Sequence, residues 1–188
     1  MADWVIAEME EIPGPLVMAG HSLGGAVALE VALARPDLVA ALVLVSTGAQ
    51  LPVPADAIAR IDTDFEGECA RMVEQSWLHH DADLIRRGTN SVISMGPESL
   101  RADYLSAQAH DVRGRLDGIE VPALIIAGEH DPLVPVWLSE ELADELRDAT
   151  VAVIADTAHV PQLERPDAVD LLTAAFLARL ELSLTGDA

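Results

Sequence analysis

Gly20-His21-Ser22-Leu23-Gly24-Gly25 decides how this chain folds. An apolar run, Leu16-Val17-Met18-Ala19, precedes it, and a helical pattern from Ala26 to Ala34 follows. A short strand, a sharp turn carrying Ser and then a helix is the setting of a G-x-S-x-G nucleophile elbow. The spacing predicts that a side chain at Gly20 or Gly24 would obstruct the close approach of helix to strand. It also places Ser22 beside a helix N-terminus, where positive partial charge favours a developing oxyanion. The simpler alternative is a Gly-rich turn in which Ser22 only caps the helix.

Outward from the elbow, apolar runs alternate with helical patterns. Asp3 to Ile12 reads as a helix, stopped by Pro13-Gly14-Pro15. Leu16–Ala19 reads as a strand apolar on both faces, as in a parallel sheet. A helix then runs to Arg35 and ends at Pro36. Ala40–Val45, Val121–Ala127 and Val151–Ile154 are three further strands. A helix at Val136–Arg147 separates the last two, and a final helix runs from near Glu164 to about Leu182. The pattern predicts an α/β fold, a parallel sheet of about four strands with flanking helices, over a single domain of residues 1–188.

Residues 51–118 break the alternation. They contain no strong strand, and their helical patterns fall near Ala55–Ile61, Phe65–His79, Ala82–Thr89 and Pro97–Ala109. This segment reads as a helical cap inserted above the strand ends.

Open α/β sheets bind ligands beyond the C-terminal ends of their strands. The third strand runs into Gly128-Glu129-His130-Asp131-Pro132, and the fourth into Asp156-Thr157-Ala158-His159-Val160. Ser22, Asp131 and His159 therefore each follow a different strand. A Ser–His pair needs a carboxylate to fix the imidazole tautomer and stabilise the imidazolium. Asp156 is a rival acid, although three residues before His159 it is better placed to shape that loop.

These segments resemble the α/β-hydrolase superfamily. Gly20-His-Ser-Leu-Gly-Gly resembles its elbow, Gly128-Glu-His-Asp-Pro-Leu-Val-Pro its acid loop, and Ala158-His159 with Glu164-Arg-Pro its histidine loop. The subgroup resembled comprises small capped serine esterases, including esterases of carrier-protein methyl esters, enol-lactonases and cofactor-free haloperoxidases. The resemblance implies Ser22 as nucleophile, His159 as general base and then acid, Asp131 as its orienter, and the Leu23 N–H as one oxyanion donor. It implies a small-molecule ester as substrate and no cofactor or metal. Two other readings stay open: a partner-dependent or non-catalytic assembly module, and a lyase or perhydrolase on the same triad.

The sequence also departs from that family. A complete member has about four more strands before the elbow strand, and one of their loops supplies the second oxyanion donor. No His-Gly or Gly-Gly segment precedes Ser22 here. Loss of one such donor costs ~3–4 kcal/mol of transition-state stabilisation. Leu16–Ala19 is then expected to be an open edge that recruits a strand, from a second copy of the chain or from a separate N-terminal polypeptide. A fragment of a longer gene is the third explanation.

Other residues have simpler readings beside functional ones. His21 reads as a packed elbow residue and His130 as part of its loop. His79-His80 with Asp81 and Asp83 is a metal candidate, more simply a helix junction. Ser46 follows a strand but lacks flanking glycines. Trp77, Tyr104, Val134 and Val160 are candidates for an acyl pocket, with Met95, Leu105 and Trp137 beside them. Arg71, Arg86, Arg87 and Arg101 are candidates to greet an anionic acyl or carrier group.

The formal charge is −21, and all 11 basic residues are arginine. Such a surface disfavours nucleic acid and anionic membranes as partners. It permits a salt-adapted host, in which screening relieves self-repulsion, and equally a mildly acidic cytosolic protein of a high-GC host. The Met-Ala-Asp-Trp start has no basic region of a signal peptide, and no apolar run reaches membrane-spanning length. A cytoplasmic location is expected. The single cysteine, Cys69, forms no internal disulfide and reads as a half-buried helix residue.

Overall fold

A computed structural model describes residues 1–185, with side chains through 181. Four parallel strands lie in the order β1 (Leu16–His21), β2 (Val39–Val45), β3 (Ala123–Gly128) and β4 (Ala149–Ile154). β1 runs in register beside β2 from Val17 opposite Ala41 to His21 opposite Val45. β3 then pairs with β2 on one side and with β4 on the other.

The period-two alternation of the strands sorts their side chains between two layers. Leu42, Leu44, Ala123 and Ile125 pack with helices α1 (Ala2–Glu10) and α2 (Leu23–Ala34). Ala41, Val43, Val45, Leu124, Ile126 and Ile154 face the opposite way. Phe176, Val169 and Leu172, of the C-terminal helix, cover that second face. α2 buries Ala28, Leu29, Val31 and Ala32, so its sequence is apolar nearly all round.

β1 differs from expectation. The second layer holds residues of β2, β3 and β4 but none of β1. Val17 is consequently 44% exposed, and Leu16 and Met18 are only half-buried. Among the described residues β1 pairs on one side alone, so it is the edge that the sequence led us to expect.

Between β2 and β3 the chain forms α3 (Ala57–Thr63), α4 (Phe65–Ser76), α5 (Ala82–Met95) and α6 (Pro97–Ala109). α4 stops three residues before His79, and α5 continues well past Thr89 to Gly96, whose φ is +82°. Ile61, Cys69 and Leu100 form the buried centre of these helices. Cys69 is thus fully buried, not half-buried, and burial followed by the Glu68 charge pushes its thiol up from the usual range. After β3 comes α7 (Val136–Glu145). After β4 come α8 (Pro161–Glu164) and α9 (Pro166–Thr185), the helix of the second layer. No described helix is long and apolar enough to cross a membrane.

Candidate active site

Ser22 stands between β1 and α2 at φ +53° and ψ −120°, a conformation that L residues rarely adopt. Its backbone is fixed on both sides. The Ser22 N–H donates to Val45 O at 2.9 Å, and the Ser22 carbonyl accepts from the Thr47 hydroxyl at 2.9 Å and from the Gly25 N–H. Its side chain makes no capping hydrogen bond, which removes the simple helix-cap reading. The Leu23 N–H belongs to the first turn of α2, where no intrahelical acceptor exists.

The glycines do not all matter in the way the sequence predicts. A Cβ at Gly20 would lie 2.4 Å from Gly24 O, and one at Gly25 would lie 2.6 Å from Thr47 Cγ2. A Cβ at Gly24 would meet nothing within 4 Å. Gly20 and Gly25 therefore set the approach of β1 to α2, and Gly24 does not. Gly24 is exposed, whereas Gly25 is buried against the Thr47 side chain beyond β2.

His159 and Asp131 meet on the loops after β4 and β3. His159 Nδ1 is 2.7 Å from Asp131 Oδ2, and both residues are buried. Asp131 Oδ1 accepts from the N–H groups of Leu133 and Val134, each at 2.9 Å. The carboxylate is therefore held at one oxygen while the other faces the imidazole. Asp156 is exposed, at φ +55°, 3.5 Å from Arg165 Nη2, and makes no bond to His159.

His21, the residue before Ser22, holds the other side of the histidine loop. Its Nε2 donates to the His159 carbonyl at 2.7 Å, with ring centroids 4.7 Å apart. Burial, and next the neighbouring His159, push its pKa down to about 4, so the ring is neutral near pH 7. Glu164 fixes the same loop from below. Its Oε2 accepts from the Ala158 N–H at 2.7 Å and its Oε1 from the Leu78 N–H at 2.8 Å. The His159 N–H in turn donates to Ser76 O at 3.1 Å. The segment after α4 and the histidine loop are thus one bonded unit. Reading the sequence alone put Glu164 within a motif but missed this bridge, since nothing in residues 76–78 marks them as its partners.

Ser22, Leu23 and His159 line one cleft of about 310 Å³, with Val134, Val160 and Tyr104 also in its wall. Leu51 to Pro54 after β2 and Leu133 after β3 complete a floor built from the segments following all four strands. α3, α4, α5 and α6 supply the opposite side, Met95 among them. Trp77 is not part of this cleft. It lines a separate hollow with His80 and His130, because α4 ends at Ser76 and turns the next residues outward. Leu105 and Trp137 are each 49% exposed and also lie outside it.

The arginines singled out from sequence are elsewhere too. Arg86 and Arg87 pair with Asp83, and Arg101 with Asp62. Arg71 is 52% exposed, 3.4 Å from Glu68, and outside the cleft lining. The arginine that does line the cleft is Arg60, bonded to Glu68.

Asp81 caps α5 by accepting from the Asp83 and Leu84 N–H groups, in keeping with the helix-junction reading of His79 to Asp83. Among the described residues, the grouping whose ligand atoms converge is instead Glu129, His130 and Asp156, all exposed. Ser46 is fully buried at φ +47°, its Oγ without a hydrogen-bond partner, and is not in the cleft.

Comparison with known proteins agrees with this architecture. Residues 1–170 match the model of the alpha/beta hydrolase family. The chain is 30% identical over 191 aligned positions to a pimeloyl-[acyl-carrier protein] methyl ester esterase of Neisseria meningitidis, covering 94% of this chain and 73% of that protein. Among solved structures, a thermophilic esterase superposes with a TM-score of 0.84 at 26% identity, covering 95% of this chain and 72% of the other. An esterase from Exiguobacterium antarcticum shares the fold at a TM-score of 0.86 and 18% identity, over 93% of this chain and 72% of its own.

Proposed function

The chain belongs to the alpha/beta hydrolase family, and from that premise we propose that it cleaves small carboxylic esters through an acyl-enzyme. The observation that carries this reading is the buried 2.7 Å contact of His159 Nδ1 with Asp131, where His159 lines the same cleft as Ser22. With Nδ1–H donating to the carboxylate, Nε2 keeps its lone pair and can take the Ser22 proton.

Ser22 Oγ attacks the ester carbonyl carbon as His159 accepts its proton. The Leu23 N–H faces the developing oxyanion. The tetrahedral intermediate expels the alcohol, which takes the proton back from His159. Water then repeats the cycle on the acyl-serine and releases the acid. Residues 51–118 act as the cap that closes an apolar acyl site over Ser22. The relatives' esterase activity supports ester cleavage, and the mostly apolar wall supports an acyl chain as the group held.

The test is hydrolysis of a short 4-nitrophenyl ester by the purified chain, with Ser22→Ala in parallel. The expected result is turnover that falls by about 10⁴-fold or more in the variant. Equal rates for the two proteins would refute the mechanism.

The open edge of β1 favours a second reading, in which a further strand completes the sheet before the site works. Val17, 44% exposed on an unpaired edge, is the observation behind it. A second copy of the chain pairing at Leu16–Ala19 would double the mass measured by light scattering. A monomer with full esterase activity would remove this reading.

A further inference from the structure

Helices α3, α4 and α6 bring three bonded polar side chains to one part of a mostly apolar cleft. Glu68 of α4 is only 3% exposed, yet carries a carboxylate. Arg60 of α3 donates to both of its oxygens, through Nε and, at 3.2 Å, Nη2. Tyr104 of α6 donates its hydroxyl to Glu68 Oε1 at 3.0 Å. All three line the same cleft as Ser22 and His159. A buried carboxylate is costly unless it is paired and bonded, and here it is both.

Charge decides what this wall can receive. Arg60 is already matched by Glu68 and by Asp56. Asp103, a further cleft residue, adds a carboxyl whose pKa burial pushes up. The bonds to Glu68 and Asp56 use three of the five guanidinium N–H groups, leaving donors on Arg60, and the Tyr104 oxygen keeps acceptor capacity. A carboxylate entering here would meet Glu68 beside Arg60, the one arginine lining the cleft among the described residues.

Resting on the esterase reading above, we propose that Arg60, Glu68 and Tyr104 form the specificity wall of the cleft. It takes acyl tails ending in an uncharged hydrogen-bonding group, such as an ester or amide carbonyl, and turns away tails that end in a carboxylate. Glu68 is the discriminating residue, because it neutralises Arg60 from inside the wall.

Three esters of matched length test this: 4-nitrophenyl octanoate, the 4-nitrophenyl methyl diester of adipic acid, and the 4-nitrophenyl half-ester of the seven-carbon heptanedioic acid, which is anionic. The wild-type chain should prefer the methyl diester over the half-ester by about tenfold or more in kcat/KM, and over octanoate by a smaller factor. Glu68→Gln should move the diester to half-ester ratio about tenfold toward the anion, since Arg60 loses the buried one of its two partner charges and keeps only exposed Asp56. That variant changes the net charge of −21 by only one, so such a shift comes from the wall and not from the whole surface field. Tyr104→Phe should reduce the preference for the diester over octanoate, and reports on the wall even where Glu68→Gln fails to fold. A wild-type ratio near one, or ratios unchanged in the folded variants, would overturn the proposal. Calorimetric binding of the same esters to Ser22→Ala separates the two readings. Selective binding of the neutral tail without wild-type turnover keeps the wall and refutes ester cleavage. Turnover without selectivity keeps ester cleavage and refutes the wall.

Discussion

His21 Nε2 donates to the backbone carbonyl of His159 at 2.7 Å, joining the strand that presents Ser22 to the loop that presents the imidazole. The bond itself favours the protonated ring, but burial outweighs it and is the first cause of the lowered pKa. In the folded chain His21 titrates at about 4, against an ordinary value of 6.5. The unfolded chain therefore binds this proton more readily between those two values. The stabilisation is complete above about pH 6.5 and is lost as pH falls toward 4, a change of about 3 kcal/mol in order of magnitude. His110, buried with Nε2 3.3 Å from Gly48 O, shifts in the same direction and adds to the trend. Denaturant unfolding at pH 7.5 and pH 5 should show a smaller pH effect in His21→Gln than in the wild type. Parallel curves for the two proteins would contradict this account.

Asp131 holds His159 by one oxygen and its own loop by the other. Asp131→Asn keeps the size of the side chain but can present an N–H₂ to Nδ1, which favours the wrong imidazole tautomer. The expected loss in kcat is about 10⁴-fold. Thermal stability should change far less than in a variant that also loses the Leu133 and Val134 bonds, such as Asp131→Ala. Measuring kcat and Tm for both variants separates the two contributions.

Glu164 accepts from Ala158 and from Leu78 with its two oxygens, and so couples the histidine loop to the end of α4. In Glu164→Gln one of the two N–H donors must face an amide N–H₂. A hydrogen bond to a charged group contributes about 1.5–3 kcal/mol. We expect kcat to fall about tenfold, with Tm lowered by several degrees, roughly 2–4 °C for each kcal/mol lost. Unchanged kinetics in a destabilised protein would make Glu164 a structural residue only.

Three glycine variants test the elbow. Gly20→Ala places its Cβ 2.4 Å from a backbone oxygen, which cannot move without shifting α2. It should lower Tm by about 6 °C or more, as overpacking of ~2–3 kcal/mol implies. Gly25→Ala meets the Thr47 side chain at 2.6 Å and should also destabilise. Gly24→Ala meets open space within the first turn of α2, and should be neutral or stabilising by up to ~1 kcal/mol. Equal losses at all three positions would show that the turn tolerates no side chain for some other reason.

The order of strands and helices, the elbow and the loops bearing Asp131 and His159 were legible in the chain because each is a local pattern. An apolar run of four to seven residues, a glycine-flanked Ser, or a carboxylate just past a strand depends on neighbours in sequence, and local sterics enforce it. That also set which residue types stand at the strand ends. Position within the tertiary structure decided the rest. Gly24 and Gly25 are adjacent in sequence, yet only Gly25 faces Thr47, 22 residues on. Trp77 has the size of a pocket residue but falls past the end of α4, whereas Arg60 looks like any surface arginine and lines the cleft. The bonds of Glu164 to Leu78, of His21 to His159 and of Tyr104 to Glu68 join residues 86, 138 and 36 positions apart. Such contacts follow from how helices pack over a sheet, where side-chain volume and burial choose partners that no periodicity in the chain records.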